Sequence, residues 1–449
     1  MKSAIFNWQQ KGWPKVTVDR RVLGAELREF TVAFRAVQKA FKQPQDMEIV
    51  ARALADEAVK TSAIEGVRVD ESVVMSSICK VLGVEYAPKG FTKDARAEGV
   101  AQMMLAVRAA WKKPLSATLI KGFHKALTTG EENRIAVGAF RSHHEPMQVI
   151  RRHADGTIEI RYVAPPSERV PKEIATFVKM WKTPAEKPSD VALRLTMLHP
   201  HFESIHPFED GNGRVGRALV AKALAEGLGL PLILPVSTII ARHRVAYYDE
   251  INEASRSLDW TNWAAFFIPV LTEALTSFLS AAKFVKAKRD YLAKHEVDFS
   301  ARAKKVIFRM FEDGEAGVKA GLSAAKWMRM TKVSKPTATR DLEELLAQGA
   351  IVQEGLGGPD TRYRLNTPLC EPIEPLNEPI EGINEGINER LVKLIATHPG
   401  VRIPYLKSVV GASTATVERA VAALIASGKI EHRGSKKTGG YYAVEETRG

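Results

Sequence analysis

HPFEDGNGRVGR, residues 206–217, decides how this chain is read. One turn holds an imidazole (His206), a carboxylate four residues later (Asp210), two glycines bracketing Asn212, and two guanidinium groups (Arg214 and Arg217). Gly211 and Gly213 are expected to permit positive φ, so that main-chain N–H groups point into one concavity. The following VGRALVAKALAEGLGL has the apolar spacing of a buried helix, whose N-terminal dipole end favours a phosphate. Arg214 and Arg217 add fork-shaped donors for further phosphate oxygens. Asp210 suits a Mg²⁺ ion bridging those oxygens, because Mg²⁺ takes one or two carboxylates plus phosphates. His206, with an ordinary pKa near neutrality, is placed to take a proton from an attacking hydroxyl.

Other readings of the same letters fit less well. Gly211, Gly213 and Gly216 spell GxGxxG, but HPFED precedes them where a dinucleotide fold needs a strand, and no acid lies about 20 residues beyond Gly216. A Walker loop needs GK followed by Ser or Thr, whereas here Arg217 precedes Ala218. His199, Glu203 and His206 have helical spacing for zinc, but HExxH is absent and Pro200 is expected to interrupt the helix.

The stretch resembles the signature of the Fic (filamentation induced by cyclic AMP) family, HxFx(D/E)GNGRxxR, with every fixed position present, and LHPHFESIHPF resembles the helix leading into it. The resemblance implies a domain that transfers AMP from ATP to a protein hydroxyl with Mg²⁺. In that reading His206 is the base and Asp210 the metal ligand. Gly211, Asn212 and Gly213 form the phosphate cradle, and Arg214 and Arg217 contact the β and γ phosphates.

Upstream, LGAELREFTVAFRAVQKAF and DMEIVARALADEAVKTSAIEG have helical periodicity. The opening FNWQQKGWPKVTVD resembles an N-terminal extension of some Fic proteins, with Trp8 and Trp13 read as core anchors. TSAIEG, residues 61–66, ends a helix at Gly66 and sets Glu65 against the macrodipole, an unfavourable place unless a cation meets it. The segment fits the (S/T)xxxE(G/N) motif of Fic inhibitory helices. There the glutamate pairs with the second arginine of the signature, here Arg217, and blocks seating of the γ phosphate.

Between these stretches, MQVIRRHADGTIEIRYVAPP alternates in character around Asp155-Gly156 and reads as a β-hairpin. In Fic proteins this hairpin is the flap that positions the target by pairing its edge, so Val149 and Ile160 would say little about target sequence. Arg141 is open to a structural or a phosphate-binding role. Beyond the signature, PVSTIIARHRVAYYDEINEAS is read as a helix entry, and Tyr247, Tyr248 and Asn252 are open to core packing or to nucleotide contact. DWTNWAAFFIPVLTEALTSFL is apolar on most sides and is expected to close the bundle.

After residue 298 the pattern changes. ARAKKVIFRMFED, LSAAKWMRM and SKPTATRDLEELLAQG read as helices, followed by two strands, and the order resembles a winged helix-turn-helix. Lys335, Thr337, Thr339 and Arg340 would face a groove, with Arg362 near a phosphate. TPLCEPIEPLNEPIEGINEGINE reads as an extended spacer, and the remaining sequence repeats the helical order with a wing holding Lys436 and Lys437. Such modules bind DNA or serve protein contacts, and no dense basic stripe decides between the two.

The expected fold is therefore mainly α, a Fic helical bundle with a β-hairpin flap. Its parts are a helical N-terminal domain (1–110), a catalytic domain (111–298), a winged helix (299–366), a linker (367–387) and a second winged helix (388–445). A net charge of +13 favours acidic partners without choosing one. Cys79 and Cys370 lie far apart, so no disulfide framework is expected, and the longest apolar run, LPLILPVSTII, is too short and proline-broken to span a bilayer. The chain reads as cytoplasmic, with ATP, a hydroxyl-bearing protein, DNA and a second copy as candidate partners and no membrane. Three functions remain: an autoinhibited adenylyltransferase, a DNA-binding regulator with a nucleotide-sensing core, and a hydrolase that reverses the modification.

Overall fold

Asp46, Asp70, Asp94 and Ser116 each accept a main-chain N–H from the turn that follows, and each starts a helix. With α1 (Gly24–Ala40) ahead of them, these are α2 (Met47–Ile64), α3 (Glu71–Leu82), α4 (Ala95–Ala109) and α5 (Ala117–Leu127). The hairpin follows as β1 (Gln148–Arg152) and β2 (Ile158–Val163), then α6 (Val170–Trp181), α7 (Pro188–Ile205), α8 (Asn212–Leu228), α9 (Val236–Arg242), α10 (Arg244–Ala254) and α11 (Thr261–His295). The structure is a computed structural model. It describes residues 5–41, 46–86, 93–129, 131, 134–152, 156–354, 361–370, 388, 391–392, 394–396, 400–401, 403, 406, 414–433 and 440–444.

The fold is mostly helical. A single hydrophobic core runs from Leu23 to Ala282 across the expected 110/111 boundary: α2 packs on α8 and α9, and α4 on α8. Buried Trp263, Phe267, Leu271 and Leu275 of α11 belong to the same core. By length and composition alone α11 would cross a bilayer, unlike the short run singled out in the sequence, but here its apolar face packs against α1 and α7.

Two sequence expectations need correction. Pro200 does not interrupt α7, which continues through it to Ile205. The ring leaves the Thr196 carbonyl without its usual helical donor, and the Trp263 indole N–H fills that place at 2.9 Å. The single helix entry after residue 235 is instead two helices, α9 and α10, separated at His243.

A second cluster gathers Tyr291, Phe299, Val306, Trp327, Leu342 and Leu365. It joins the end of α11 to α12 (Ala301–Glu312), α13 (Gly314–Lys319), α14 (Ala324–Thr331), α15 (Lys335–Ala347), β3 (Ile351–Glu354) and β4 (Arg362–Leu365). Short α13 lies between the first two helices expected there. Strands β3 and β4 pair antiparallel from Ile351↔Leu365 to Glu354↔Arg362.

The chain divides into two compact units, Met1–Pro372 and Ile373–Gly449. The second has its own small core, with Val417, Val421 and Leu424 of α16 (Thr414–Ala426) against Leu391, Ile395 and Ile430. Its hairpin is β5 (Ile430–Arg433) with β6 (Gly440–Ala443). Residues 371–387 of the expected linker, Asp155 of the hairpin turn, and Lys436 and Lys437 lie outside the described residues.

Candidate active site

The end of α7 and the start of α8 bracket a six-residue loop in which several side chains are fixed. His206 itself is in the left-handed region (φ 48, ψ 60), which is uncommon for a residue with a Cβ. Arg141 holds it there, donating to the carbonyls of His206 (2.8 Å), Ile205 (3.3 Å) and Pro165 (2.6 Å) and to Ser167 Oγ (3.0 Å). Buried Arg141 thus caps the negative end of α7, a structural role. His206 Nδ1 lies 3.3 Å from the Glu203 carbonyl, which only accepts, so Nδ1 carries the proton and Nε2 keeps its lone pair. Burial lowers the His206 pKa to about 4, against the opposing pull of the Glu203 carbonyl and nearby carboxylates. The ring is neutral at neutral pH, as a general base requires.

Asn212 Oδ1 accepts from the Phe208 N–H and its amide donates to the Phe208 carbonyl, both at 2.8 Å. Its side chain therefore braces the loop, and its main-chain N–H is what it offers to an anion. Phe208 also stacks on His124 at 3.9 Å between ring centres. His124 Nδ1 accepts from the Gly138 N–H, leaving Nε2–H to donate to the Asp210 carbonyl at 3.1 Å. Sequence reasoning missed this residue because its partners lie 14 and 86 positions away.

Gly211 takes positive φ (81°) just before α8, as expected, but Gly213 does not. Gly213 is helical, and a Cβ there would press on the Glu65 carboxylate, which would have to shift. A Cβ at Gly216 would likewise meet Glu203. As the first turn of α8, the N–H groups of Asn212, Gly213 and Arg214 lack intrahelical acceptors and form the positive end of the dipole.

Arg217 is almost fully buried and tied to the end of α2. Its Nε donates to Thr61 Oγ1 and its Nη2 to the Thr61 carbonyl, both at 2.8 Å, and Nη2 also pairs with Glu65 Oε1 at 2.8 Å. Burial works most strongly against the charge, but Glu65, Tyr247, Tyr248 and Glu203 together outweigh it and raise the Arg217 pKa, so the guanidinium stays protonated. This is the cation that a glutamate at a helix C-terminus needs. Gly66 (φ 76) turns the chain away from α2 as the sequence suggested. Thr61 was not anticipated, since only its contact with a residue 156 positions away gives it a role. Glu203 was considered only as a zinc ligand. Among the described residues its buried Oε1 has no hydrogen-bond partner, and burial raises its pKa to about 8 despite Arg217 nearby.

A cavity of about 590 Å³ opens over these groups, walled by Glu65, Ile150, His206, Arg217, Tyr248 and Asn252, among others. Tyr248 is partly exposed and its hydroxyl lies 3.2 Å from the Ile64 carbonyl and 3.4 Å from Glu65 Oε2. Tyr247 also lines the cavity but is buried, with its hydroxyl 2.8 Å from His199 Nε2. The hairpin forms the outer lip. Val149, Ile150, Ile158 and Ile160 are exposed on it, the register shifts between Val149 and Ile150, and among the described residues neither strand pairs with a third.

Asp210 fits a Mg²⁺ that also takes phosphate oxygens. Its carboxylate is half exposed at the helix mouth, with Oδ1 on the Gly211 N–H (2.6 Å) and Oδ2 only loosely held by Arg214 (3.4 Å). Arg214 is accordingly close to both Asp210 and the first turn of α8.

The Fic/DOC family model matches residues 114–224, which contain the whole signature. Residues 114–224 are thus similar to the Fic/DOC family. Ahead of the Fic domain, residues 6–84 match a domain of unknown function, DUF4172. A probable protein adenylyltransferase of Aquifex aeolicus is 38% identical over 94 residues, which are 21% of this chain and 27% of that protein. A Fido domain-containing protein of Dictyostelium discoideum is 46% identical over 54 residues, 12% of this chain and 36% of that one. The chain thus spans roughly a third or less of the length of these curated relatives. Among solved structures, a Fic family protein of Desulfovibrio desulfuricans aligns at 21% identity and TM-score 0.47, over 78% of this chain and 98% of that chain. A segment of Fic-1 from C. elegans aligns at 18% and 0.42, over 59% and 75%.

Proposed function

We propose that this chain transfers AMP from ATP to a Ser, Thr or Tyr hydroxyl of a protein, itself among the targets, and that Glu65 restrains the reaction. The observation that carries the reading is His206 Nε2, unprotonated beside a helix N-terminus whose donors suit a triphosphate. The target oxygen attacks the α phosphorus while its proton passes to His206 Nε2. The bond from the α phosphorus to the α–β bridging oxygen breaks, and pyrophosphate leaves. Main-chain N–H groups of Asn212 and Gly213, with Arg214, hold the phosphates in line. A Mg²⁺ on Asp210 would supply charge neutralisation for the leaving phosphates. Arg217 is the remaining donor within reach of the γ phosphate, and in this structure Glu65 occupies it. The Aquifex relative, named a probable protein adenylyltransferase, supports the same chemistry.

Incubation of the wild type, Glu65→Gly and Glu65→Gly/His206→Ala with Mg²⁺ and α-³²P-ATP tests this. Label on protein is expected to rise in the first variant and vanish in the second. Absence of label in every lane, with ATP binding intact, would overturn the transferase reading in favour of a hydrolase or a regulator.

DNA binding by residues 299–366 is a second reading, favoured by one observation. From Ala324 to Arg340 the chain has five cations (Lys326, Arg329, Lys332, Lys335 and Arg340) and no acid. All but Lys326 are exposed, on α14, at its C-cap Lys332 and on the first half of α15. Duplex DNA should bind with an affinity that falls steeply with salt, and Lys335→Ala/Arg340→Ala should lower the slope by about 2. Salt-insensitive or absent binding would count against it.

A further inference from the structure

The segment ahead of α1 runs behind the cavity and touches three of its walls at one place. Asn7 is fully buried. Its main-chain N–H donates to the Ser255 carbonyl at 2.7 Å. Its side-chain amide donates to Ser204 Oγ (2.7 Å) and to the Ala254 carbonyl (3.2 Å), while Oδ1 accepts the Trp8 N–H (2.7 Å). Ser204 lies in the last turn of α7, two residues before His206, and Ala254 ends α10. On either side of Asn7 the chain grips the hairpin. The Trp8 indole N–H donates to the Val163 carbonyl at 2.7 Å, and Phe6 meets Tyr162 edge-on at 5.0 Å in a small apolar cluster separate from the main core. Tyr162 closes the loop by donating from its hydroxyl to the Ser204 carbonyl at 2.6 Å. Ser204, Ser255 and Tyr162 all line the cavity.

We infer that Asn7 is a positioning residue for the transfer reaction: the strap of residues 6–8 fixes the hairpin relative to His206. The inference rests on the transferase reading and gives the segment matching DUF4172 a task besides carrying Glu65. Its physical basis is the amide itself. Only a side chain with donors and an acceptor on one short arm can serve Ser204, Ala254 and Trp8 together, and at full burial an unmet partner is costly. The hairpin is otherwise a two-stranded sheet, which is marginal without support. Its distance from the base therefore depends on what holds its root.

Amide hydrogen exchange on the full chain tests this without requiring activity. In Asn7→Ala, residues 148–152, 158–163 and 203–211 should exchange about tenfold faster, with α1 and α11 unchanged. In Trp8→Phe, which keeps the ring and loses one bond to the hairpin, only the hairpin should quicken. In a Glu65→Gly background, Asn7→Ala should lower kcat for transfer about tenfold and leave KM for ATP within about twofold, since the phosphate cradle is untouched. Uniform faster exchange across the chain, or an unchanged hairpin in both variants, would overturn the positioning role. Loss of label in the Glu65→Gly parent itself would instead break the transferase reading, while the exchange result would still decide whether the strap holds the hairpin.

Discussion

The two ends of the cavity are built on different principles. At the end formed by α8 the first turn is buried, and Asn212 and Arg217 are held by short bonds. At the hairpin end a narrow two-stranded sheet presents exposed aliphatic side chains. An invariant ligand can be met by a rigid, pre-oriented surface, because reorganisation during reaction is avoided. A partner that varies is better met by backbone edges, which pair with any extended segment.

The difference can be broken at its strongest point. In a Glu65→Gly background, His206→Ala is expected to lower transfer by about 10² to 10⁴, the usual cost of losing a general base, with an unchanged thermal melt. A folded variant retaining full activity would remove the base assignment. A smaller effect is expected at the clamp on Arg217. Thr61→Val deletes the acceptor for Nε, leaves the carbonyl and Glu65 in place, and should raise basal labelling several-fold while costing about 1 kcal/mol in stability. Unchanged labelling would mean that Glu65 acts without help from Thr61.

At the hairpin the changes should be slighter. Val149→Ala and Ile160→Ala are each expected to alter target KM by no more than about twofold, because the edge bonds are main-chain; a larger loss would make these side chains readers of the target. The smallest effect is one of pH. With His206 near 4, kcat/KM should fall less than about twofold from pH 7 to pH 5.5, whereas an imidazole at its ordinary value would lose about tenfold. The sign follows from the base being active when neutral, so activity is lost only as pH drops through its lowered pKa.

The grouping at the start of α8 was legible in the sequence because it is contiguous: imidazole, carboxylate, glycines and guanidinium groups share one loop and one helical turn. Glu65 was legible because a carboxylate at a helix C-terminus demands a cation. What stayed hidden depends on pairs far apart in the chain. Arg141 on the His206 carbonyl, Thr61 on Arg217 and Asn7 on Ser204 have no local pattern, since each is an ordinary residue until the fold brings its partner. Gly213 was misread for a related reason. A glycine suggests positive φ from sequence alone, while here it answers the bulk of Glu65, which only packing supplies. Pro200 taught the reverse, for a helix breaker is accommodated once an indole from α11 takes over the freed carbonyl.

Thr61 Oγ1, the Thr61 carbonyl and Glu65 Oε1 bind Arg217 from within five consecutive residues. These acceptors are therefore not independent locks. Helix ends fray before helix middles, and unwinding the last turn of α2 withdraws all of them in a single local event. Freeing the arginine requires no domain to move, and a partner that grips a few residues around Gly66 would have enough leverage to do it.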